Sequence, residues 1–433
     1  MSKTKAVKSH SPQDELYGPL YIPNYCWPII DTAEFQRLRH ILQLATVNLV
    51  FPGATHTRFE HCLGCAHLAY VFMQHLQAVQ PELKIEPKHT QALVIGALCH
   101  DLGHGPWSHT FESIAHVYDE KWDHEEMSKL ILRHIWKNYN LQLEKDVIEA
   151  ACSFISGKTY EGYPEWLAEI IANKKVDIDI DKFDYLARDM NRCLSVTGNE
   201  YDRLIIHCRI VEGRLAWRMS EIPTIERVFY NRNDMHQRVY QHRVVQTLEI
   251  MVKDMLEYAD QEDYLPYPQI SEALDDPSAY AKLDDRMLYS IELGHCGKKA
   301  QKIALKMKVR DLYRCVGELR VRPDNKEGLT YSQLPTNQLE EDIASFGNCP
   351  AKKIRVGKMH FRYGLTPDSH PLLGIPFWKP GCDHIIKLSE SDISCIVPAH
   401  FREVAMRVFV TADKYVEPAK IAFEKWKQFK CIQ

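Results

Sequence analysis

Arg58-Phe59-Glu60-His61, His100-Asp101-Leu102-Gly103-His104-Gly105-Pro106 and Asp181-Lys182-Phe183-Asp184-Tyr185 are three short stretches in which chemistry-bearing residues concentrate. His61, His100, Asp101 and Asp181 together offer two imidazoles and two carboxylates, a set suited to iron, manganese or zinc. On an octahedral ion they leave positions for water and a phosphate oxygen, as metal-assisted phosphoester hydrolysis needs. A single histidine is more often packed or solvated than ligating. The three stretches together carry the reading, which is that of a metallohydrolase.

Holding such a set in place calls for helices. Residues 1–16 are polar and lysine-bearing and are expected to form a flexible tail. Residues 17–320 read as one mostly helical domain. Val245, Leu248, Val252, Met255 and Leu256 recur at helical spacing with Glu249, Lys253 and Asp254 between them, and Thr90 to Asp101 is apolar on nearly every side, as in a helix at the centre of a bundle. Two glycines and Pro106 must end that helix just past Asp101, letting a compact loop bring His104 and His109 toward the same cavity. Residues 321–433 are expected to form a smaller mixed α/β lobe. It begins with a Pro-, Asn- and Gly-rich linker over 320–350, continues through β-leaning stretches at His384 to Lys387 and Ile393 to Val397, and ends in a helix with Ala422, Phe423, Trp426 and Phe429 on one face.

The composition of the 433 residues, 45% hydrophobic and 26% charged, is that of an ordinary globular protein. A formal net charge of -4 argues against bulk attraction to nucleic acid or an anionic membrane. Thirteen scattered cysteines and no recognisable secretory signal point to a reduced, intracellular setting, cytoplasm or nucleus. Cys62 and Cys65 read as small residues on a helix face rather than a redox pair. No apolar run approaches the roughly 18 residues of a membrane span.

Further motifs follow the same order. Asp31-Thr-Ala-Glu-Phe-Gln-Arg-Leu-Arg39, Gln43-Leu44 and Phe51-Pro-Gly-Ala-Thr-His-Thr-Arg-Phe-Glu-His61 precede Cys99-His-Asp-Leu-Gly-His-Gly-Pro-Trp-Ser-His109; Asp181-Lys-Phe-Asp-Tyr-Leu-Ala-Arg-Asp189 and Arg232-Asn-Asp-Met-His-Gln-Arg-Val-Tyr-Gln-His242 come later. In this the chain resembles the HD superfamily, and within it the deoxynucleoside triphosphate triphosphohydrolases of the eukaryotic sterile-alpha-motif-and-HD-domain branch. The resemblance runs from about residue 14 almost to the C-terminus; no counterpart of the sterile alpha motif domain or of the long C-terminal tail is expected.

That resemblance implies an HD-domain helical bundle and the conversion of a dNTP to deoxynucleoside and triphosphate. His61, His100, Asp101 and Asp181 would hold the metal, with Mg²⁺ accompanying the nucleotide. His109 would be the general acid, and His104 and His124 would line the phosphates or relay protons. Glu112 stands where the family usually has aspartate, and its extra methylene could preserve or spoil the carboxylate contact. Arg58, Lys182 and Arg232 would meet the triphosphate, Gln43 and Asp189 the 3′-hydroxyl, and Leu44 and Gln241 the base. Tyr185 and Tyr240 would crowd C2′, and His236 falls within the substrate set.

The resemblance also implies a homo-oligomer, dimer to tetramer, assembled by GTP or dGTP. Asp31, Gln36, Arg39, Arg310 and Leu312 match the guanine site, with Arg314 replacing a lysine. Arg203, His242, Arg243 and Lys379 fit a second effector site, where Ser220 and Thr224 replace a lysine and an asparagine. The basic stretch Lys298 to Arg314, opposed only by Asp311, reads as a solvated helix face, with effector or weak single-stranded nucleic-acid contact as the other reading. Two rival functions are kept open. One is an HD hydrolase of nucleoside monophosphates or cyclic nucleotides, which would leave Arg58, Lys182 and Arg232 without β and γ phosphates. The other is a nucleotide- or nucleic-acid-binding regulator with a vestigial site.

Overall fold

Six helices form the bundle that carries the HD stretches: α1 (Arg58–Val79), α2 (Pro87–Cys99), α3 (His109–Tyr118), α4 (His124–Asn138), α5 (Lys145–Ile155) and α6 (Ile180–Leu194). They are seen in a computed structural model that describes residues 10–197, 200–261, 267–321, 325–365, 369–393 and 397–430. Pro87 opens α2, where its missing N–H costs nothing, and Ala92 to Cys99 are all buried, as the apolar run predicted. The helix ends at Cys99. The following loop passes so close to α4 that a Cβ on Gly103 would lie 2.1 Å from the His124 carbonyl oxygen and 2.5 Å from the Ser128 nitrogen, so only glycine fits. The Ser128 hydroxyl accepts from Gly103 N–H and donates to the His100 carbonyl, each at 2.7 Å.

Downstream, α7 (Ile222–Met235) runs through a five-residue π turn, His236–Tyr240, into α8 (Arg243–Ala259). The five apolar residues predicted for α8 are all buried. Short strands β1 (Gln13–Asp14) and β2 (Gly18–Pro19) pair near the N-terminus, and β3 (Cys208–Val211), β4 (Arg214–Arg218) and a later strand form a second small sheet. The basic helix α9 (Lys298–Lys308) leads to β5 (Arg314–Val321). Lys308 pairs with Glu292 at 2.6 Å and Lys306 with Asp311 at 3.0 Å, so Asp311 is not the sole opposing charge.

The C-terminal lobe is an antiparallel sheet of β5, β6 (Ile354–Arg362) and β8 (Arg402–Val410), with β8 central; β7 (Phe377–Trp378) belongs to the sheet of β3 and β4. Helices α10 (Lys326–Gln333), α11 (Thr336–Ala344) and α12 (Val416–Phe429) belong to the same lobe. Val316, Leu319, Val356, Val408, Phe423 and Trp426 belong to its core.

Several expectations need correction. The segment from Gln13 onward is no tail, because Asp14 and Glu15 pair with Arg188 and Arg192 of α6 at 2.9 and 2.6 Å. Residues 1–9 lie outside the described residues, as do 322–324 within the expected linker and 394–396 within the second β-leaning stretch. The linker is largely α10 and α11, and the lobe's sheet starts at Arg314, before the expected boundary at 320. His384 to Lys387 contributes only one bridge, Ile386 to Phe377. Phe429 is 71% exposed while Trp426 is fully buried, so it leaves the predicted apolar face at the last turn of α12.

Candidate active site

His61 lies in the first turn of α1, His100 and Asp101 just past the end of α2, and Asp181 in the first turn of α6. Their donor atoms converge. His61 Nε2 is 3.1 Å from Asp181 Oδ1, 3.2 Å from His100 Nε2 and 3.5 Å from Asp101 Oδ2; His100 Nε2 is 3.5 Å from an oxygen of each aspartate.

Both rings are oriented for ligation. His61 Nδ1–H donates to Asp184 at 2.8 Å and His100 Nδ1–H to the Ala97 carbonyl at 2.8 Å, leaving each Nε2 lone pair directed into the cluster. Asp184 is fully buried, accepts from Arg188 at 3.0 and 2.8 Å, and Arg188 reaches on to Asp14. This arrangement needs glycine at 64, since a Cβ there would lie 1.9 Å from Asp184 Oδ2. The donor set thus fits a divalent cation.

Cys65 also approaches the cluster, its sulfur 3.6 Å from His61 Nδ1, but burial pushes its thiol up to about 12. Its sulfur lies 3.8 Å from His61 Nε2, whereas Asp101 offers oxygens 3.5 Å from the Nε2 atoms of both His61 and His100. Burial opposes the charge on Asp101, yet Arg58, then His100 and His104, outweigh it and hold its carboxyl well below the usual range. Cys62 and Cys65 are both buried free thiols.

A second group of histidines adjoins the first. His104 Nε2 lies 3.3 Å from Asp101, and its ring stacks on His124 with centroids 4.1 Å apart. Glu112 bridges His124 Nδ1 at 2.8 Å and His109 Nδ1 at 3.1 Å, so its extra methylene keeps both contacts. Burial and Arg58 lower the pKa of His104; burial opposes protonation of His124, but Glu112 overrides it and raises its pKa. The His109 side chain is 72% exposed.

The cluster opens into a cavity of about 440 Å³, lined by Gln43, Leu44, Arg58, Tyr185, Asp189, Arg232, His236, Tyr240 and Gln241, together with Asp101 and Asp181. Asp181, Tyr185 and Asp189 share one face of α6 at four-residue spacing, about 12 Å from first to last. Tyr240 donates to Asp189 at 2.5 Å, and His56 meets its other oxygen at 2.7 Å. The Gln43 side-chain oxygen is buried and, among the described residues, has no partner. The π turn carries His236 and Tyr240 onto one side of the cavity.

Two of the three cations assigned to phosphate are already paired with carboxylates. Arg58 is buried, donates to Ser108 at 2.9 Å and forms a short hydrogen bond with Asp101. Lys182 lies in an adjoining cavity of about 180 Å³, 2.8 Å from Asp177 and 3.3 Å from Asp179. Arg232 lines the main cavity and donates to the Arg362 carbonyl at 3.1 Å. The two cavities share Asp101, His124 and Asp181.

The residues matched to effector sites lie elsewhere. Arg39 donates to Gln36 at 2.7 Å with its guanidinium 3.5 Å above Phe59, and Arg310 reaches the Leu49 carbonyl at 2.7 Å. Asp31 is exposed, Leu312 half-buried, and Arg314 pairs with Asp413 at 2.9 Å. Arg203 is held at 2.7 Å by buried Glu221, which also accepts from Thr224 and Ser220, each at 3.2 Å. His242 caps α8, beside exposed Arg243; Lys379 is exposed.

His56, Asp184 and Arg37 were missed in the sequence. Arg37 donates to the carbonyls of Leu102, His104 and Leu283, fixing the loop that carries His104. Each lies inside a quoted motif, which was its one available signal.

Comparison with known proteins agrees with this geometry. The HD domain family matches residues 58–189, and the HD associated region matches 200–358. The chain is 32% identical to the deoxynucleoside triphosphate triphosphohydrolase SAMHD1 homolog of Dictyostelium discoideum, over 95% of this chain and 79% of the relative. It is 33% identical to SAMHD1 of Gallus gallus and 32% identical to that of Homo sapiens, over 95% of this chain and 74% and 72% of those proteins.

Proposed function

Because the chain belongs to the SAMHD1 family of HD-domain deoxynucleoside triphosphate triphosphohydrolases, we propose that its two joined cavities hold a dNTP with the α-phosphate at their junction. The observation that carries this reading is the continuity of the metal cradle with a cavity walled by Gln43, Tyr185, Asp189 and Tyr240. A divalent ion held by His61, His100, Asp101 and Asp181 (iron, manganese or zinc) would supply Lewis-acid polarisation of an α-phosphate oxygen. Mg²⁺ accompanies the triphosphate.

The chain's own residues orient the substrate and move the proton. Asp189, fixed by His56 and Tyr240, accepts from the 3′-hydroxyl, and the orphaned Gln43 oxygen faces the same sugar. The rings of Tyr185 and Tyr240 wall off C2′, where an added hydroxyl would be crowded and unpaired. Leu44 and Gln241 lie toward the base, and His236 closes the wall beside Tyr240. Arg58 and Arg232 face the phosphates, and Lys182 meets the triphosphate end by exchanging Asp177 for a phosphate oxygen.

Water forms the new bond to the α-phosphorus as the bond to O5′ breaks. Glu112 holds His109 through Nδ1, so Nε2–H is free to protonate the departing 5′-oxygen. His124, charged through Glu112, and neutral His104 complete a relay from Asp101 to His109. The products are a deoxynucleoside and intact triphosphate.

Regulation is read from the surface strip of Asp31, Gln36, Arg39 and Arg310: GTP or dGTP binds there and assembles the homo-oligomer. Buried Glu221 sits among Arg203, Ser220 and Thr224, where it opposes a second effector's triphosphate. The test is triphosphate release from each dNTP with Mg²⁺, with and without GTP, beside Asp101→Ala. Release that depends on Asp101 supports the chemistry, and acceleration by GTP supports the effector site. No release from folded, metal-loaded protein refutes the chemistry.

A further inference from the structure

The proposed chemistry gives no role to Glu249, an acidic residue lining the main cavity. Glu249 stands on the second turn of α8, and Leu44, Ala45, Val47 and Gln241 line the same cavity. It is half-buried, and burial alone lifts its pKa, to about 8. Among the described residues no hydrogen bond or ion pair to its carboxyl is present, and the nearby Lys253 turns instead to Glu257 at 3.9 Å. In the sequence Glu249 is a polar residue between the apolar positions of α8, on the flank of that helix. The fold turns that flank into the cavity.

The surroundings fit a purine or pyrimidine rather than phosphate. Ala45 stands in a left-handed turn with φ 48°, and Leu44, Ala45 and Val47 form an apolar wall on which a base can lie. Gln241 and Glu249 are the polar groups added there. Arg58 and Arg232 draw the triphosphate to the metal end, which leaves the apolar residues Leu44, Ala45 and Val47 for the base.

We propose that Glu249 reads the base and makes dGTP the preferred substrate, its carboxylate accepting from N1–H and the 2-amino group of guanine. This rests on the dNTP triphosphohydrolase reading. Guanine alone among the four bases presents two adjacent N–H donors on its pairing edge. Adenine and cytosine set one amino group beside a ring acceptor, and thymine sets its N–H between two carbonyls that face a carboxylate unfavourably. Two N–H donors also favour the ionised carboxyl, so guanine stabilises the form that binds it.

The test is competition in one tube: four dNTPs at equal concentration, saturating GTP throughout so that the effector state is shared, and deoxynucleosides quantified by chromatography. A ratio of products is insensitive to how much enzyme is folded. The wild type should release deoxyguanosine about tenfold or more faster than thymidine, the scale of hydrogen bonds to a charged group. E249Q and E249A should both bring the ratio near parity. A wild type without that preference, or a preference that survives in both variants, overturns the inference while leaving the hydrolase reading intact. No nucleoside from any dNTP overturns the reading beneath it, and the inference with it.

Discussion

Asp184→Asn isolates the part of the metal site that the motif alone did not reveal. Asp184 touches no metal-facing atom; it accepts the Nδ1 proton of His61 at 2.8 Å and so fixes which nitrogen is left to ligate. Asparagine with its oxygen toward His61 and Arg188 Nε turns its NH2 on Arg188 Nη2, and flipped it turns that NH2 on His61 Nδ1–H, so one contact becomes donor against donor and the negative charge is lost. Loss of such an oriented partner weakens metal affinity about 10- to 100-fold, or about 1.4–2.7 kcal/mol. Because Asp184 and Arg188 are a buried pair, stability also falls, so affinity must be measured on protein shown to be folded. Asp14→Asn is the control: it loosens Arg188 and leaves the His61 contact in place. Chelator competition with Mn²⁺, beside circular dichroism, should show a loss for Asp184→Asn well beyond that of Asp14→Asn. Equal affinity in folded Asp184→Asn and wild type would refute the argument that this carboxylate orients the ligand.

Glu112→Gln should move the alkaline limb of the activity profile to lower pH. Glu112 raises the His124 pKa against the pull of burial, so its removal lets His124 lose its proton earlier; the stability that His124 adds below its unfolded pKa, and loses as pH rises through its folded pKa, should shrink too. Kinetic pH profiles and melts across the same range check both. Trp426→Ala should destabilise the C-terminal lobe by about 3–5 kcal/mol, read by denaturant unfolding, because the ring is fully buried and its N–H donates to Asp342 at 2.8 Å. Tyr240→Phe removes the 2.5 Å hydrogen bond to Asp189 and should raise KM for dNTPs more than it lowers kcat, in steady-state assays.

The convergence of His61, His100, Asp101 and Asp181 could be expected because they sit in dense local motifs whose chemistry has few uses. The roles of Asp184 and His56 could not, although both residues lie in those same motifs: whether a polar residue orients a ligand depends on which helix packs against it, and Gly64 reveals that approach only in three dimensions. The buried helix through Cys99 was legible from its unbroken apolar run. The stretch from 325 to 344 was misread because its turn-forming residues act as helix caps. The Asn325 side chain accepts from Gly328 N–H to start α10, and Pro335 stands immediately before α11. Lys182, read from the sequence as a triphosphate contact, lines the smaller cavity, and spacing gave no hint that Asp177 and Asp179 already hold it.

Attack at the α-phosphorus with O5′ as the leaving group is the central claim, and hydrolysis of a dNTP in ¹⁸O-labelled water tests it most directly. The account predicts triphosphate carrying the label on its terminal phosphorus, seen by ³¹P resonance, and an unlabelled deoxynucleoside. Label in the nucleoside 5′-hydroxyl, or monophosphate and pyrophosphate as products, would contradict it.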